Sequence, residues 1–358
     1  MRISSLNIRR VSMPRVDPAW RTASYAANVV NACIVTVGAD GFEGIGGASV
    51  RPSGFTVQEL EAELNGPARA LVIGADAGGR ADLRQRLRAA GIHRGAVFAI
   101  DLALLDLMGK AAGVPCCALW GGPVRTGGAV ARFVGLKPPA DLVAASAEMI
   151  EQGFTHLKVK LGTTVEEDTE RIQALRSTFG DKIWISVDGN GAYSTDDAIR
   201  LSHALAPYDI GLIEQPINYE DIDGLVRLTA ASPIPIMADQ SVNSLAAAIE
   251  VCRRHAAHIV SVKIGQLGSV DECRRVAELC LAEGLRVHVG GGANPMVIDA
   301  AQAQVAVSIA GIEEESEVGE SLALTNDPTS GLTIRNGRFE VGTAPGLGIT
   351  LAPTSAGE

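Results

Sequence analysis

Residues 3–13 and 29–37 alternate apolar and polar side chains, and 41–50 can return as a hairpin partner after Ala39-Asp40-Gly41. These stretches read as strands. A helix is expected over 95–112, where Val97, Ile100, Leu104, Leu107 and Met108 recur at helical spacing. Up to about residue 122 strands are followed by helices, which reads as an α+β unit.

From about 128 to 327 the pattern changes. Short apolar runs, each followed by an amphipathic stretch of helix length, recur about every 25 residues. Strands are expected at 130–136, 156–161, 183–187, 211–213, 234–238, 258–264 and 286–289, with a weaker one near 311–314. N-cap residues mark the helices between them: Thr195 with Asp196 and Asp197, Ser244 before Leu245, and Ser269 before Asp271. About eight βα units in succession are too many for a small open sheet, so a closed barrel is the expected architecture. The alternative is a doubly wound sheet, but no GxGxxG follows the first strand. The stretch 332–351, with Gly337, Gly342 and Gly346, reads as strand and turn packing back on the N-terminal unit. The expected division is 1–125 for an α+β cap, 126–328 for the barrel and 329–358 for the return to the cap.

Composition narrows the function classes. The chain has 358 residues, 47% hydrophobic and 20% charged, as an ordinary globular protein does. A formal net charge of −10 argues against a nucleic-acid partner, because phosphate binding needs a basic face. No apolar run approaches the length of a membrane span, and the first residues lack the apolar core of a signal peptide. A cytoplasmic location and a homo-oligomeric state are the expectations. The six cysteines form no CxxC pair and read as reduced core thiols, and the six histidines form no HExxH.

Candidate chemistry appears at one phase of the barrel repeat. Lys158 and Lys160 end one expected strand, Asp188 the next, then Glu214, Asp239 and Lys263. Active sites of such barrels lie at the C-terminal ends of the strands. A single acid there is more often a helix cap or a solvated loop residue. Three on consecutive strands would repel one another unless a hard cation neutralised them, and Mg²⁺ suits one carboxylate per strand, with Mn²⁺ as a substitute. Lys158 and Lys160 share one face of a strand whose alternate residues, Leu157, Val159 and Leu161, are apolar. Both lysines therefore point into the barrel, where they should lower each other's pKa and make one a usable general base. Lys263 lies across the mouth, positioned to act on the other face of a substrate.

At these residues the chain resembles the enolase superfamily, specifically its mandelate racemase and muconate-lactonizing group. The matching pieces are Lys158-Val159-Lys160, Val187-Asp188-Gly189-Asn190, Ile213-Glu214-Gln215-Pro216, Ala238-Asp239-Gln240-Ser241 and Val262-Lys263-Ile264-Gly265. Earlier, the run from Ala99 to Lys110 leads into Leu119-Trp120-Gly121-Gly122, and late segments Ser316-Glu317-Val318-Gly319 and Gly346-Leu347-Gly348-Ile349 also match. The resemblance implies an α/β fold, a (β/α)₇β TIM-like barrel under an α+β capping domain. It also implies Mg²⁺ held by Asp188, Glu214 and Asp239, with Lys160 and Lys263 as bases on opposite faces. The Lys/Lys pattern is similar to the muconate-lactonizing, succinylbenzoate-synthase and epimerase branch. Two departures stand out: Gln240 replaces a common glutamate, and Gly291-Gly292-Ala293-Asn294-Pro295 replaces an acid after the seventh strand.

The expected function is a Mg²⁺-dependent racemase or epimerase acting on a small carboxylate, an amino-acid derivative by preference, through an enediolate. A dehydratase or cycloisomerase sharing the enolate is the first alternative, and a non-catalytic scaffold the second. Substrate contacts are expected from loops 14–25 and 48–55, with Arg15, Trp20, Arg21, Tyr25 and Arg51 as candidates. Asn190, Gln240, Asn294 and Glu317 are candidates for contact with the substrate or support of the site. Most of the acidic run Glu313, Glu314, Glu315 and Glu317 reads as a solvated face.

Overall fold

The computed structural model describes residues 1–51 and 54–353. Strands β1 (Ile3–Pro14), β2 (Val29–Ala39) and β3 (Phe42–Val50) form an antiparallel sheet in that order. Asp40 and Gly41, at φ 50° and 83°, make the two-residue turn that the right-handed twist of a hairpin favours. Helix Arg94–Ala112 packs against this sheet and stops at Gly113, whose φ of 71° is the usual left-handed helix end. The approach is close: a Cβ built at Gly44 would lie 2.0 Å from the Ala103 carbonyl, and one at Gly46 2.3 Å from that of Ala99. Only glycine fits at either position.

Eight strands follow: β4 (Gly127–Val134), β5 (His156–Lys160), β6 (Trp184–Asp188), β7 (Ile210–Glu214), β8 (Ile236–Ala238), β9 (Ile259–Val262), β10 (Arg286–Val289) and β11 (Ile312–Ser316). All neighbours are parallel, and β11 returns to pair with β4 through Glu315–Ala129 and Ser316–Val130. That last pairing closes the barrel and rules out the open doubly wound sheet.

Period-two alternation along these strands sets the site's height. On β5 the fully buried Leu157 and Val159 join the main core, and Lys158 and Lys160 take the opposite face. Leu212, Met237 and Ile259, packed with Trp184, form a separate apolar cluster. Glu214, Asp239 and Asp188 continue the same faces of their strands two or four residues further on, placing polar groups above an apolar floor.

Three details differ from the sequence reading. The strand expected over 258–264 stops at Val262, because the Lys263 carbonyl accepts from the Leu267 N–H and opens a helical turn. Ser194, not Thr195, caps its helix: its hydroxyl accepts the Asp197 N–H, while Thr195 bonds Asp221. The hairpin of Thr333–Arg335 and Arg338–Glu340 lies on β4 beside Gly127–Ala129, so this part of the C-terminal stretch joins the barrel sheet. The chain meets the first unit before this hairpin, where Ala323 and Thr325 bond Val16 and Pro14, and again after it, where Asp106 accepts the Leu347 N–H at 2.6 Å and the Ile45 N–H at 2.7 Å.

All six cysteines are buried free thiols. Among the described residues no helix is long and apolar enough to cross a membrane.

Candidate active site

The strand ends bring the sequence-selected groups together. Lys158 Nζ lies 2.5 Å from Glu214 Oε2, 2.5 Å from Glu317 Oε1 and 3.2 Å from Asp188 Oδ2. Lys160 Nζ donates to Asp188 Oδ2 at 2.5 Å, and both ammonium groups lie just under 5 Å from the Phe133 ring centre, at 4.8 and 4.9 Å. Lys263 Nζ donates to Asp239 Oδ2 at 2.6 Å and lies 3.5 Å from Glu214 Oε1. Asp188, Glu214 and Glu317 have no exposed surface, and Asp239 has 1%.

Burial and charge compete here. Burial opposes the charge on Lys158, but Glu214, Glu317, Asp188 and Asp239 outweigh it and hold its pKa well above the ordinary value. The same competition raises Lys263, where Asp239 and Glu214 face it. The expectation that paired lysines depress one another therefore fails at Lys158, because the acids lie closer than any gain from repulsion can offset. Burial would raise Asp188, yet Lys160, Lys158 and Lys263 bring it down to about 2. Glu214 goes the other way, pushed up to about 7 by burial against the pull of Lys158.

Among the described residues several buried oxygens at this site accept no hydrogen bond: both of Glu214, which face the Lys158 and Lys263 ammonium groups as ion pairs only, Oδ1 of Asp239, Oδ1 of Asn190 and Oε1 of Gln240. Among the described residues no three acid, histidine or cysteine side chains are already drawn into chelating positions; the Lys158 and Lys263 ammonium groups stand between the acids. The donor set, three carboxylates on consecutive strand ends, two of which (Glu214 and Asp239) keep oxygens that accept no hydrogen bond while Asp188 is held by Lys160 and Asn190, has the chemistry a hard divalent ion requires.

The backbone around these acids is held firmly. Asp188 Oδ1 accepts the N–H of Asn190, a residue at φ 46°. Gln215, fully buried, accepts the N–H groups of Asp239 and Ser241 through Oε1 and donates to Ser241 Oγ, fixing the turn that carries Asp239. The sequence reading quoted Gln215 in a motif without giving it this part. Asn294 donates to the Gly292 carbonyl and is thus turned into its own loop. Tyr25 lies half-exposed beside Trp20, and no hydrogen bond or ion pair among the described residues joins it to the lysines or acids. Arg15 stacks on Trp20 at 3.9 Å, with Nε and Nη1 buried and partnerless. Residues 52 and 53 of loop 48–55 lie outside the described residues.

Glu317, a candidate for support of the site, is set apart from the acidic run around it. The acidic run reads as mostly solvated, and Glu313 does pair with Arg286 at the surface. The side chain of Glu314 lies outside the described residues. Glu317, however, is completely buried, accepts from Lys158 and from the Gly291 N–H, and lies 3.4 Å from His288 Nε2. His288, on β10 inside the barrel, was missed altogether. Its one signal in the sequence is its place at the inward phase of the Val287-His288-Val289 strand.

Comparison with known proteins fits this geometry. Residues 5–121 match the family described as mandelate racemase / muconate lactonizing enzyme, N-terminal domain, and residues 141–355 match the enolase C-terminal domain-like family. The chain belongs to the mandelate racemase/muconate-lactonizing group of the enolase superfamily. Within that group it is 31% identical, over 70% of its length and 72% of the relative's, to a hydrophobic dipeptide epimerase of Enterococcus faecalis. It is 28% identical to a chloromuconate cycloisomerase of Pseudomonas putida over 99% of its own length and 97% of the relative's. The solved dipeptide epimerase of Enterococcus faecalis V583, complexed with Mg and the dipeptide L-Leu-L-Tyr, superposes with a TM-score of 0.92 at 25% identity, covering 98% of this chain and 100% of that one. Members of this superfamily group that resemble the chain include epimerases, racemases and cycloisomerases, consistent with an isomerase.

Proposed function

We propose that the chain is a Mg²⁺-dependent racemase or epimerase that moves the α-proton of a small carboxylate, with Lys160 and Lys263 serving opposite faces. The observation that carries this reading is the placement of the lysines: β5 and the end of β9 are four strands apart in a ring of eight, with Asp188, Glu214 and Asp239 between them. Asp188, Glu214 and Asp239 would hold Mg²⁺, or Mn²⁺ in its place. When bound, the ion would supply positive charge for the substrate carboxylate.

The chain's own residues supply the rest. Lys158 is kept cationic by Glu214 and Glu317 and presents a fixed positive charge as negative charge builds on the substrate carboxylate. One of Lys160 and Lys263 enters neutral and removes the α-proton; the other enters as ammonium and protonates the opposite face, and the roles exchange in reverse. The loop of residues 290–295 after β10 holds only glycine, alanine, asparagine and proline, none of which can protonate a departing hydroxide, and Asn294 is turned into its loop. That favours proton transfer without loss of a group. The named relatives that act on dipeptides and N-succinylamino acids suggest the substrate class: an amino acid acylated at nitrogen.

Cycloisomerisation is the second reading, favoured by the near full-length match to a chloromuconate cycloisomerase. It would use the same site with a single proton-transferring lysine. ¹H NMR in D₂O with dipeptides, N-succinylamino acids and muconates separates the two. Deuterium at the α-carbon with scrambled configuration and no lost group is expected; lactone formation or release of water would overturn the epimerase assignment.

A further inference from the structure

Lys263 stands one residue past β9 and opens the helical turn Ile264–Leu267, which ends at Gly268 with φ 82°. A single turn does not hold itself, because helix nucleation is unfavourable. Its support comes from elsewhere. Gln266 Nε2 donates to the Asp239 and Val242 carbonyls at 2.9 and 3.1 Å. Arg94, at the start of helix Arg94–Ala112, donates to the Gln266 carbonyl at 2.9 Å, and its Cγ would lie 3.4 Å from a Cβ built at Gly268. Further along, Asp271 in the first turn of helix Val270–Ala282 receives Arg80 at 2.6 and 2.8 Å and Arg84 at 2.9 Å. Both arginines also bind Asp101, 3% exposed on helix Arg94–Ala112, at 2.9 and 2.8 Å.

The segment 263–271 is therefore fastened at its middle by the exposed Arg94 and at its end by the buried Arg80, Arg84 and Asp101 frame, all from the N-terminal unit. Desolvating such a charge network offsets most of its attraction, so its net contribution to stability is small. What it does fix is position. Lys160 needs no such frame, since β5 is paired in register on both sides, with β4 and β6.

We infer that Arg94, Arg80 and Arg84 are positioning residues for Lys263: the cap holds the turn that aims this lysine, and among the described residues it makes no ion pair with Lys160. The inference rests on the two-lysine reading above.

The test uses Arg94→Met and Asp271→Asn in the full-length Mg²⁺-loaded protein. Amide hydrogen exchange over 263–271 should speed up about tenfold in either variant, with 156–161 unchanged. In D₂O, α-proton exchange is followed on both epimers of the dipeptide or N-succinylamino acid that the unmodified protein exchanges fastest. The epimer that Lys263→Ala disables should lose about tenfold in rate, while the other stays within about twofold. Arg94→Lys should recover part of the loss. Equal loss on both epimers, protection lost throughout the barrel, or unchanged protection over 263–271 would overturn the inference. Should Lys160→Ala and Lys263→Ala themselves show no preference between epimers, the two-lysine reading fails, and hydrogen exchange over 263–271 still reports separately on the arginine contacts.

Discussion

Lys160 lies within a strand bonded along both edges, whereas Lys263 stands beyond the end of its strand on a turn of four residues. Around Lys160 the partner is a single acid, Asp188, held at about 2 by burial outweighed by Lys160, Lys158 and Lys263. Around Lys263 the partners are Asp239 and Glu214, and the backbone leans on arginines from another part of the chain. Two bases that must perform mirror-image tasks are thus supported by unlike means. Sheet hydrogen bonds fix one; a loop and a charge network fix the other. Perturbations of Arg80, Arg84 and Arg94 or of the turn after β9 should then act on one substrate face, and perturbations of the metal ligands on both.

The largest effect should be the symmetrical one. Chelation is expected to abolish α-proton exchange from both epimers, and Mg²⁺ to restore it, with Mn²⁺ a substitute. Full activity after exhaustive chelation would remove the charge that both halves of the comparison share. A one-sided effect is expected from Gly290→Ala. A Cβ at Gly290 would come within 2.2 Å of Ser261 Oγ, 2.6 Å of Lys263 Cε and 2.9 Å of Lys263 Cγ. Both the Ser261 hydroxyl and the Lys263 side chain must yield, and displacing Lys263 should lower exchange from its epimer about 10²-fold while the Lys160 epimer is spared. Equal loss on the two epimers would break the comparison.

The smallest effect concerns stability alone. Asp299, fully buried in helix Met296–Ser308, accepts the Ser321 N–H through Oδ2 and leaves Oδ1 without a partner. Burial pushes its carboxyl up to about 7 against those hydrogen bonds. The folded state therefore holds a proton that the unfolded chain releases near pH 4, so this contribution is full below about pH 4 and is lost as pH rises to about 7. Asp299→Asn should be nearly neutral in urea titrations at pH 4 and stabilising by about 2 kcal/mol at pH 8. Neither face of the reaction should change. A substitution equally costly at both pH values would contradict this.

The phase of the barrel repeat made most of the site legible. Lys158, Lys160, Asp188, Glu214, Asp239 and Lys263 all meet at the mouth, because period-two alternation and a regular βα repeat leave little freedom in where a strand-end residue points. The hairpin at Asp40-Gly41 and the N-caps Ser244 and Ser269 were equally readable, being local chemistry. What escaped was set by distant parts of the chain. Glu317 was a candidate, but its pairing with Lys158 appears only when β11 closes on β4. The partners of Asp271 are Arg80 and Arg84, nearly two hundred residues earlier, at separations of 191 and 187. The pKa of Lys158 depends on four acids from four different segments, so the neighbouring Lys160, the one charge visible locally, gave the wrong sign.

The most direct measurement is ¹H NMR in D₂O of α-proton exchange from each of two separated epimers, with the unmodified protein, Lys160→Ala and Lys263→Ala. The unmodified protein should exchange both. Each variant should lose one epimer's exchange by about 10³-fold and retain the other's, and the retained epimers should be opposite. Loss of both epimers' exchange in both variants, or of the same epimer's in both, would contradict a base on each face.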